Sequence, residues 1–253
     1  MDVVFSSLIS GISSMLKAAT LVVGMFEDAK DFSYYPSEIR QQIEKTIEVT
    51  SSFSGKFGEV LPILSKDGSI IVVGMGKSGE FNSKKALSLG GKIYSGIEQT
   101  KFQDAVIAMN VDPMLFSQLA YGLLLRSFRF DKYFTTKKEG VFILQKVTLL
   151  LSNEKAKNDA ESFFNESRIE ADSVFMVRNL VTEPANVLYP ESYANIVSDE
   201  LSKLGVKVEI FDEQYMKEKG MNALLGVGAG SAFRSKLVVM QWNGGSKDEA
   251  PVA

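Results

Sequence analysis

The chain has 253 residues, of which 45% are hydrophobic and 23% charged, a balance typical of a globular protein rather than a disordered or fibrous one. Its net charge of −3 excludes a general electrostatic attraction to nucleic acid or to an anionic membrane. The chain contains no cysteine and no histidine, which excludes disulfides, thiolate or imidazole zinc ligands, and every histidine-dependent triad. The N-terminus lacks the basic region of a signal peptide, and no apolar run approaches the ~20 residues that span a bilayer. We therefore expect a cytoplasmic protein.

Short β-rich runs alternate with amphipathic stretches over the first 150 residues. Continuous apolar runs predict buried strands, and proline or asparagine at the start of an amphipathic stretch predicts a helix start. Gly90-Gly91 weakens the second of these helices. The predicted order is a strand at Thr20–Phe26, a helix from Pro36, a strand at Glu59–Leu64, a turn at Lys66–Ser69, a strand at Ser69–Gly74, a helix at Asn82–Ile97, a strand at Ala105–Met109, a helix from Asp112-Pro113 to about Phe128, and a strand at Val141–Leu151.

Strands that alternate with helices predict an α/β fold with a largely parallel sheet covered on both faces. A long helix is then predicted from Asn153 to about Leu180. One stripe of it is apolar or small, with members at Ala156, Ala160, Phe163, Phe164, Ser167, Ala171, Val174 and Phe175. Because this helix lies between two α/β regions, we divide the chain into a first domain at 1–152, a connecting helix at 153–180 and a second domain at 181–253.

The second region begins at Thr182–Asn186. Pro190 then opens a helix to about Leu204, which Gly205 terminates. A strand at Val206–Phe211, a short helix capped by Asp212 and a strand at Leu237–Trp242 follow. Asn243-Gly244-Gly245 is a strong hairpin-turn signal, so a return strand is expected to begin at Pro251–Ala253. A solitary strand would leave backbone groups unsatisfied, and we therefore expect the sequence to stop within a domain.

Two glycine runs are candidate binding loops. Gly74–Gly79 matches the G-x-G-x-x-G pattern that lets backbone approach a pyrophosphate. The acid expected at the end of the next strand is missing, because Glu98 precedes that strand and Asp104 starts it. The run is therefore interpreted as a structural turn, with a nucleotide cradle as the alternative. Gly226–Ser231 is interpreted as a flexible loop or a tight packing contact, and Ser231 as a nucleophile would need a base.

Charged residues offer weaker candidates. Lys132, Lys137 and Lys138 are the best candidates for a local basic patch, although charge runs usually face water. Adjacent acids occur at Glu27-Asp28, Asp199-Glu200 and Asp212-Glu213. Neighbours in sequence do not face each other on a helix, so these pairs are interpreted as solvated positions or helix caps rather than metal ligands.

The stretch 177–188, Val-Arg-Asn-Leu-Val-Thr-Glu-Pro-Ala-Asn-Val-Leu, resembles the R-[DN]-L-x-x-x-P-x-N signature of the leucyl (cytosol) aminopeptidase family. Residues 204–208, 219–231 and 236–240 follow at the spacing this family shows. Residues 73–77 and 125–133 also look like the family, so the resemblance covers nearly the whole chain.

The resemblance implies an N-terminal domain like a macro domain, with a mixed sheet flanked by helices, then a long linker helix and an α/β metallopeptidase domain. It also implies a homo-hexamer that removes N-terminal residues from peptides. Two divalent metals, manganese or zinc, would hold the attacking water and polarise the scissile carbonyl.

The family's motif Gly-Lys-Gly-x-Thr-Phe-Asp-x-Gly-Gly and its later motif Asn-Thr-Asp-Ala-Glu-Gly-Arg do not occur in this chain. No catalytic, metal-binding or cofactor-binding residue can therefore be assigned to any position. Pro184 and Pro190 are expected to fix the entry to the second domain, and Gly226, Gly228 and Gly230 to permit close packing beneath the missing catalytic core. The chain alone is predicted to be inactive. The alternative is a binding or assembly module that takes nucleotide or DNA without catalysis.

Overall fold

A computed structural model describes residues 1–7, 18–64, 68–100, 102–136, 144–246, 250 and 252. The chain divides into two compact units, Met1–Met176 and Val177–Ala253. The three-part division at residues 152 and 180 stays a prediction.

The first unit is built on a six-stranded sheet in the order β1-β6-β5-β2-β4-β3. Its strands are β1 (Asp2–Ser7), β2 (Thr20–Phe26), β3 (Val60–Ile63), β4 (Ser69–Gly76), β5 (Asp104–Ala108) and β6 (Lys146–Leu151). β3 is antiparallel to β4, and every other neighbouring pair is parallel. Parallel strands need crossover connections, which bring helices onto the faces of the sheet. The predicted α/β fold with a largely parallel sheet is confirmed.

Helices cover both faces of this sheet. They are α1 (Ser37–Val49), α2 (Ser83–Ile97), α3 (Pro113–Arg126) and α4 (Glu154–Thr182). Successive side chains of a strand point to opposite faces, so β2 and β4 each contribute to two cores. Val22 and Ile71 belong to the core that includes residues of α2, α3 and α4. Leu21 and Val72 belong to the core that includes residues of α1.

The predicted helix starts are confirmed at α2 and α3. The side chain of Asn82 accepts a hydrogen bond from the N–H of Lys85 at 3.1 Å. Asp112 accepts from the N–H of Met114 at 2.9 Å, and Pro113 occupies the first turn of α3. A polar side chain at this position satisfies one of the free N–H groups of the first turn.

The contact between α2 and α3 depends on two glycines. A Cβ placed on Gly90 would lie 2.1 Å from the carbonyl oxygen of Leu119, and one on Gly122 would lie 1.9 Å from that of Leu87. The two backbones can approach this closely only because neither residue has a side chain. The sequence predicts that Gly90 weakens the helix, whereas the structure gives it a packing role.

The second unit is smaller and has fewer buried side chains. It contains α5 (Pro190–Ser202), β7 (Lys207–Phe211), α6 (Glu213–Glu218), α7 (Asn222–Gly228) and β8 (Leu237–Gln241). β7 and β8 form a two-stranded antiparallel sheet. Its buried apolar residues, among those that the structure describes, are Ala194, Val197 and Met216.

Several elements differ from the sequence prediction. β1 and α7 were not predicted, because each is a short run without a clear period. Gly226–Gly228 is helical rather than a loop. Phe163, a member of the predicted apolar stripe of α4, is 47% exposed, while Ala160, Phe164, Ser167 and Ala171 of the same stripe are buried. The start of the strand at 141–151, the turn at Lys66-Asp67 and most of the return strand at 251–253 lie outside the described residues.

Candidate functional site

The first glycine motif lies where β4 ends, and the N–H groups of its first two glycines are already engaged. The N–H of Gly74 donates to the carbonyl of Glu59 at 2.8 Å, and the N–H of Gly76 donates to that of Gly55 at 2.9 Å. A Cβ on Gly74 would lie 2.1 Å from the carbonyl oxygen of Lys56. These glycines therefore allow the backbone at 55–59 to pack against β4, and their N–H groups do not face a free cradle.

The carboxylate of Asp28, in the same chain, occupies the remaining part of this loop. Asp28 Oδ1 accepts the N–H of Ser78 at 2.9 Å, and Asp28 Oδ2 accepts the Ser78 hydroxyl at 3.1 Å. The bond from the Ser78 N–H lowers the pKa of Asp28 below its usual value, so this group is ionised at neutral pH. A negative side chain that holds the turn repels a phosphate at the same place. The geometry favours the structural-turn interpretation over the nucleotide cradle.

The acids considered as partners of that motif lie elsewhere. Glu98 forms ion pairs with Arg126 at 3.2 Å and with Arg129 at 2.8 Å. It thereby links the end of α2 to the end of α3 and the segment after it. Asp104 is exposed at the first position of β5, as the sequence indicated.

Only one of the three lysines predicted as a basic patch lies within the described residues. Lys132 is exposed, and its ammonium lies 5.4 Å from the centre of the Tyr133 ring. Lys137 and Lys138 lie outside the described residues. A basic patch at these three positions stays a prediction.

Acids of the second unit have structural partners. Asp212 accepts the N–H of Tyr215 at 3.0 Å and caps α6, which confirms its interpretation as a cap. Glu213 accepts the N–H of Ser235 at 2.9 Å and pairs with Arg234 at 3.2 Å. Within the described ranges there is no group of three or more acidic residues that could hold a metal ion.

The second glycine run has only one close contact. A Cβ on Gly228 would lie 2.0 Å from Ser235 Oγ, so this glycine permits a tight approach as expected. Gly226 and Gly230 have open space at that position, and the packing role expected for them stays a prediction. The hydroxyl oxygen of Ser231 accepts the N–H of Phe233 at 3.1 Å, which makes it part of a turn.

An open groove of about 470 Å³ lies on the exposed side of α2. Most of its lining residues are small or polar, and they include one lysine and one arginine. They are Gly58, Val60, Ser88, Gly91, Lys92, Ser95, Gly96, Gln99 and Arg126. Sequence reasoning did not find this groove, because its walls come from segments that are far apart in the chain. It contains no acid that could serve as a base or a metal ligand.

The stretch at 177–188 runs from the end of α4 into the connection to α5. The carbonyl of Pro184 accepts the N–H groups of Val187 and Leu188, both at 2.9 Å. Pro190 lies in the first turn of α5, and the Ser192 hydroxyl accepts the N–H of Tyr189 at 3.0 Å. The two prolines therefore fix this connection, as the sequence indicates.

Comparison with known proteins gives the family. The sequence model for "Cytosol aminopeptidase family, N-terminal domain" matches residues 22–137, and that for "Cytosol aminopeptidase family, catalytic domain" matches residues 175–253. The chain is 46% identical, over all of its length, to a probable cytosol aminopeptidase of Ehrlichia ruminantium (strain Gardel). The chain belongs to the cytosol aminopeptidase family. The resemblance inferred from the sequence is thus confirmed.

Other members of the cytosol aminopeptidase family are also similar. A probable cytosol aminopeptidase of Wolbachia pipientis wMel is 42% identical over 92% of this chain, which corresponds to 46% of that protein. The Ehrlichia match covers 51% of the relative. The chain therefore spans about half the length of the curated relatives it matches.

Solved structures confirm the fold. A tomato leucine aminopeptidase mutant superimposes with a TM-score of 0.73 at 20% identity, covering 94% of this chain and 50% of that one. The bottromycin maturation enzyme BotP in complex with Mn gives a TM-score of 0.68 at 17% identity, covering 89% of this chain and 45% of that one. No helix in the described part of the chain has the length and hydropathy that crossing a membrane requires.

Proposed function

We propose that this chain forms the N-terminal half of a metalloaminopeptidase that releases N-terminal amino acids from peptides. The observation that carries the proposal is the 46% identity over the whole chain to a probable cytosol aminopeptidase. The N-terminal-domain match precedes the catalytic-domain match, which is the order that the names of the two domains require. Cytoplasmic location and assembly into a homo-hexamer belong to the same proposal, as the family resemblance implies.

Two divalent metals, manganese or zinc, are part of the proposal, and the complex of BotP with Mn supports it. The described residues of this chain do not fit such a site, because they contain no cluster of three acids. Two of the acids considered above have partners within the chain: Asp28 binds Ser78, and Glu213 binds Arg234 and Ser235. We therefore assign no catalytic, metal-binding or cofactor-binding residue here, and no step through the metals is derived from this chain.

The test compares the chain alone with a single polypeptide in which it is joined to the C-terminal half of the Ehrlichia ruminantium relative. Hydrolysis of a leucyl anilide is measured with manganese and with zinc. We expect no turnover by the chain alone and metal-dependent turnover, abolished by a chelator, by the joined polypeptide. Turnover by the pure chain would show that the chemistry is sited within these residues. Inactivity of the joined polypeptide would contradict the proposed activity.

The alternative of a nucleotide- or DNA-binding module is tested on the same chain. Since Asp28 occupies the loop after β4, we expect no thermal stabilisation by ADP-ribose. We also expect no salt-sensitive binding to duplex DNA. Replacing Asp28 with asparagine removes the repelling charge, so a stabilisation seen in both proteins would locate any nucleotide site elsewhere.

A further inference from the structure

The groove on the exposed side of α2 presents a row of hydrogen-bond donors. The side chains of this row belong to Ser88, Lys92, Ser95 and Gln99. Residues three or four apart lie on the same side of a helix, so this spacing places all of them on one face of α2 and of the turn that follows it. Arg126, at the end of α3, supplies a second positive charge to the lining.

The side chain of Lys92 is positioned by a glycine of the opposite wall. A Cβ placed on Gly58 would lie 2.6 Å from Cε of Lys92 and 2.8 Å from its Nζ. Gly58 has a φ of +83°, a conformation that favours glycine, and its missing side chain leaves the room that the lysine occupies. Within the described part of the chain, no carboxylate pairs with this ammonium. Lys92 therefore adds a net positive charge to the groove.

Arg126 is held in place and keeps donors for a ligand. Its Nη2 donates to Glu98 at 3.2 Å, and its guanidinium carbon lies 5.6 Å from the centre of the Tyr94 ring. Glu98 also pairs with Arg129 at 2.8 Å, so this carboxylate offsets only one of the two guanidinium charges. A guanidinium carries five N–H donors, and the bond to Glu98 uses one of them. Arg126 is therefore an oriented cation with donors to spare.

The neutral side chains of the row have no internal partners among the described residues. A serine or threonine hydroxyl inside a helix often donates to the carbonyl four residues earlier, as those of Thr46 and Ser173 do in this chain. The hydroxyls of Ser88 and Ser95 make no such bond in the described part of the chain, and neither does the side-chain amide of Gln99 make any. All three are therefore available to a ligand.

The chemistry of the lining selects the charge of that ligand. The lining contains no carboxylate, which excludes a divalent cation, and Val60 is its one large apolar side chain, which disfavours an apolar molecule. A phosphate monoester carries about −1.5 to −2 charges at neutral pH, which two cationic side chains balance. Its oxygens accept several hydrogen bonds at once, which suits a row of donors. The volume of about 470 Å³ accommodates a phosphate with a small molecule attached to it.

We propose that this groove binds a compact phosphate dianion, either inorganic phosphate or the monoester group of a small phosphorylated molecule. Lys92 and Arg126 balance the charge, and the neutral donors of the row bind the remaining oxygens. The site lies wholly within the unit Met1–Met176 and within the match to the N-terminal-domain model at 22–137, so it does not depend on the proposed peptidase function. Because the groove is open to water, its affinity is expected to be roughly millimolar.

The test is a titration of the full chain, labelled with nitrogen-15, at constant ionic strength. The probes are inorganic phosphate, glycerol 3-phosphate and, as the uncharged control, glycerol. We expect both phosphates, but not glycerol, to shift the amide signals of Gly91, Ser95 and Gln99 in a saturable way. Tighter binding of glycerol 3-phosphate would identify a phosphorylated small molecule as the ligand, and tighter binding of inorganic phosphate would identify the free anion. No saturable shift at these residues up to roughly 20 mM of either phosphate would overturn the inference.

Two exposed lysines provide a matched pair of variants. Lys92→Gln removes a charge from the groove, and Lys45→Gln removes the same charge from α1, which covers the other face of the sheet. Since neither side chain is buried, both variants should unfold like the parent. Because a charge-assisted hydrogen bond is lost, Lys92→Gln should weaken phosphate binding about tenfold, and Lys45→Gln should leave it unchanged. Equal weakening by the two variants would indicate a general effect of net charge and would overturn the inference.

A third variant tests the shape of the groove without changing its charge. Gly91 lies in the lining, and a Cβ there meets nothing nearer than Arg126 Cβ at 3.9 Å. Gly91→Leu therefore fits on the helix and fills part of the groove, so we expect phosphate binding to be lost while the protein stays folded. Unchanged binding by this variant would overturn the inference. Salt-sensitive binding of duplex DNA that Lys92→Gln abolishes would also overturn it, because a polyanion would then be the occupant.

Discussion

The contact between α2 and α3 yields a prediction that adjacent glycines can test. Gly90→Ala would place a methyl group 2.1 Å from the carbonyl oxygen of Leu119 and 2.8 Å from the amide nitrogen of Leu123. Both atoms belong to the backbone of α3, so neither can rotate away. The helices would have to separate by roughly 1 Å, and overpacking of this kind costs typically about 1–3 kcal/mol and sometimes more. The separation would also loosen the buried side chains around Leu89, Ile93 and Phe116.

The next residue is the control. A Cβ on Gly91 meets nothing nearer than Arg126 Cβ at 3.9 Å. Replacing a helix-interior glycine with alanine stabilises the helix by about 0.8–1 kcal/mol. Gly91→Ala should therefore raise the free energy of unfolding by that amount. Gly90→Ala receives the same gain in helix propensity but loses more by overpacking, and we expect a net loss of about 1 kcal/mol.

The measurement is urea unfolding followed by circular dichroism at the helix band, because the only tryptophan lies in the second unit. The two variants should shift the midpoint in opposite directions. Gly122→Ala, whose Cβ would lie 1.9 Å from the carbonyl oxygen of Leu87, should behave like Gly90→Ala. The double variant should cost less than the sum, since helices already separated have room for the second methyl group. A Gly90→Ala protein as stable as Gly91→Ala would refute the reasoning.

Two further predictions concern buried polar bonds. The Thr100 hydroxyl donates to the carbonyl of Ile97 at 2.8 Å, so Thr20 donates in the 2.9 Å bond between the two threonine hydroxyls. Thr100→Val leaves the buried Thr20 hydroxyl without its acceptor and should lower the free energy of unfolding by about 1–3 kcal/mol. Thr20→Val removes only the donor and should lower it by about 1 kcal/mol. If thermal unfolding ranks the two variants in the opposite order, this assignment of donor and acceptor is wrong. Partial burial raises the pKa of Glu59, but N–H bonds from Ser54, Gly55 and Lys56 outweigh it and hold the pKa below its usual value of 4.5. A lowered folded-state pKa adds stability that is complete above the unfolded value and is lost as pH falls through the folded value. Glu59→Gln should therefore reduce stability at pH 7 and make stability fall less steeply as the pH is lowered below 4.5. Midpoints of urea unfolding measured across this pH range test the prediction. A variant whose stability falls with pH as steeply as that of the parent would contradict it.

Much of the first unit could be predicted from local sequence. The continuous apolar runs at Thr20–Phe26 and Ser69–Gly76 became buried parallel strands, because only a strand covered on both faces buries every side chain. Asn82, Asp112 and Asp212 became caps because their short polar side chains reach the N–H groups of the following turn. The family was also evident from the stretch at 177–188.

The candidate sites were harder to judge from sequence, because their availability depends on distant residues. Gly74–Gly79 fits a phosphate loop by pattern, and only the fold shows that residues 55–59 accept the N–H groups of Gly74 and Gly76 and that Asp28 holds the Ser78 turn. The groove on α2 has no sequence signal, since Gly58, Lys92 and Arg126 are brought together by packing.

The sequence by itself determined the α/β class, the helix starts and the family, because each of these depends on the order and spacing of neighbouring residues. The tertiary structure decided which glycines are needed for helix packing, which backbone N–H groups of the glycine loop are already bonded, and which apolar side chains remain exposed. Gly90 and Gly91 are identical in sequence terms, yet only the first lies against the backbone of another helix. Val208 and Met240 alternate as any strand residues do, yet only their pairing shows that they share one exposed apolar face. Such properties depend on contacts between distant segments, and local sequence does not encode them.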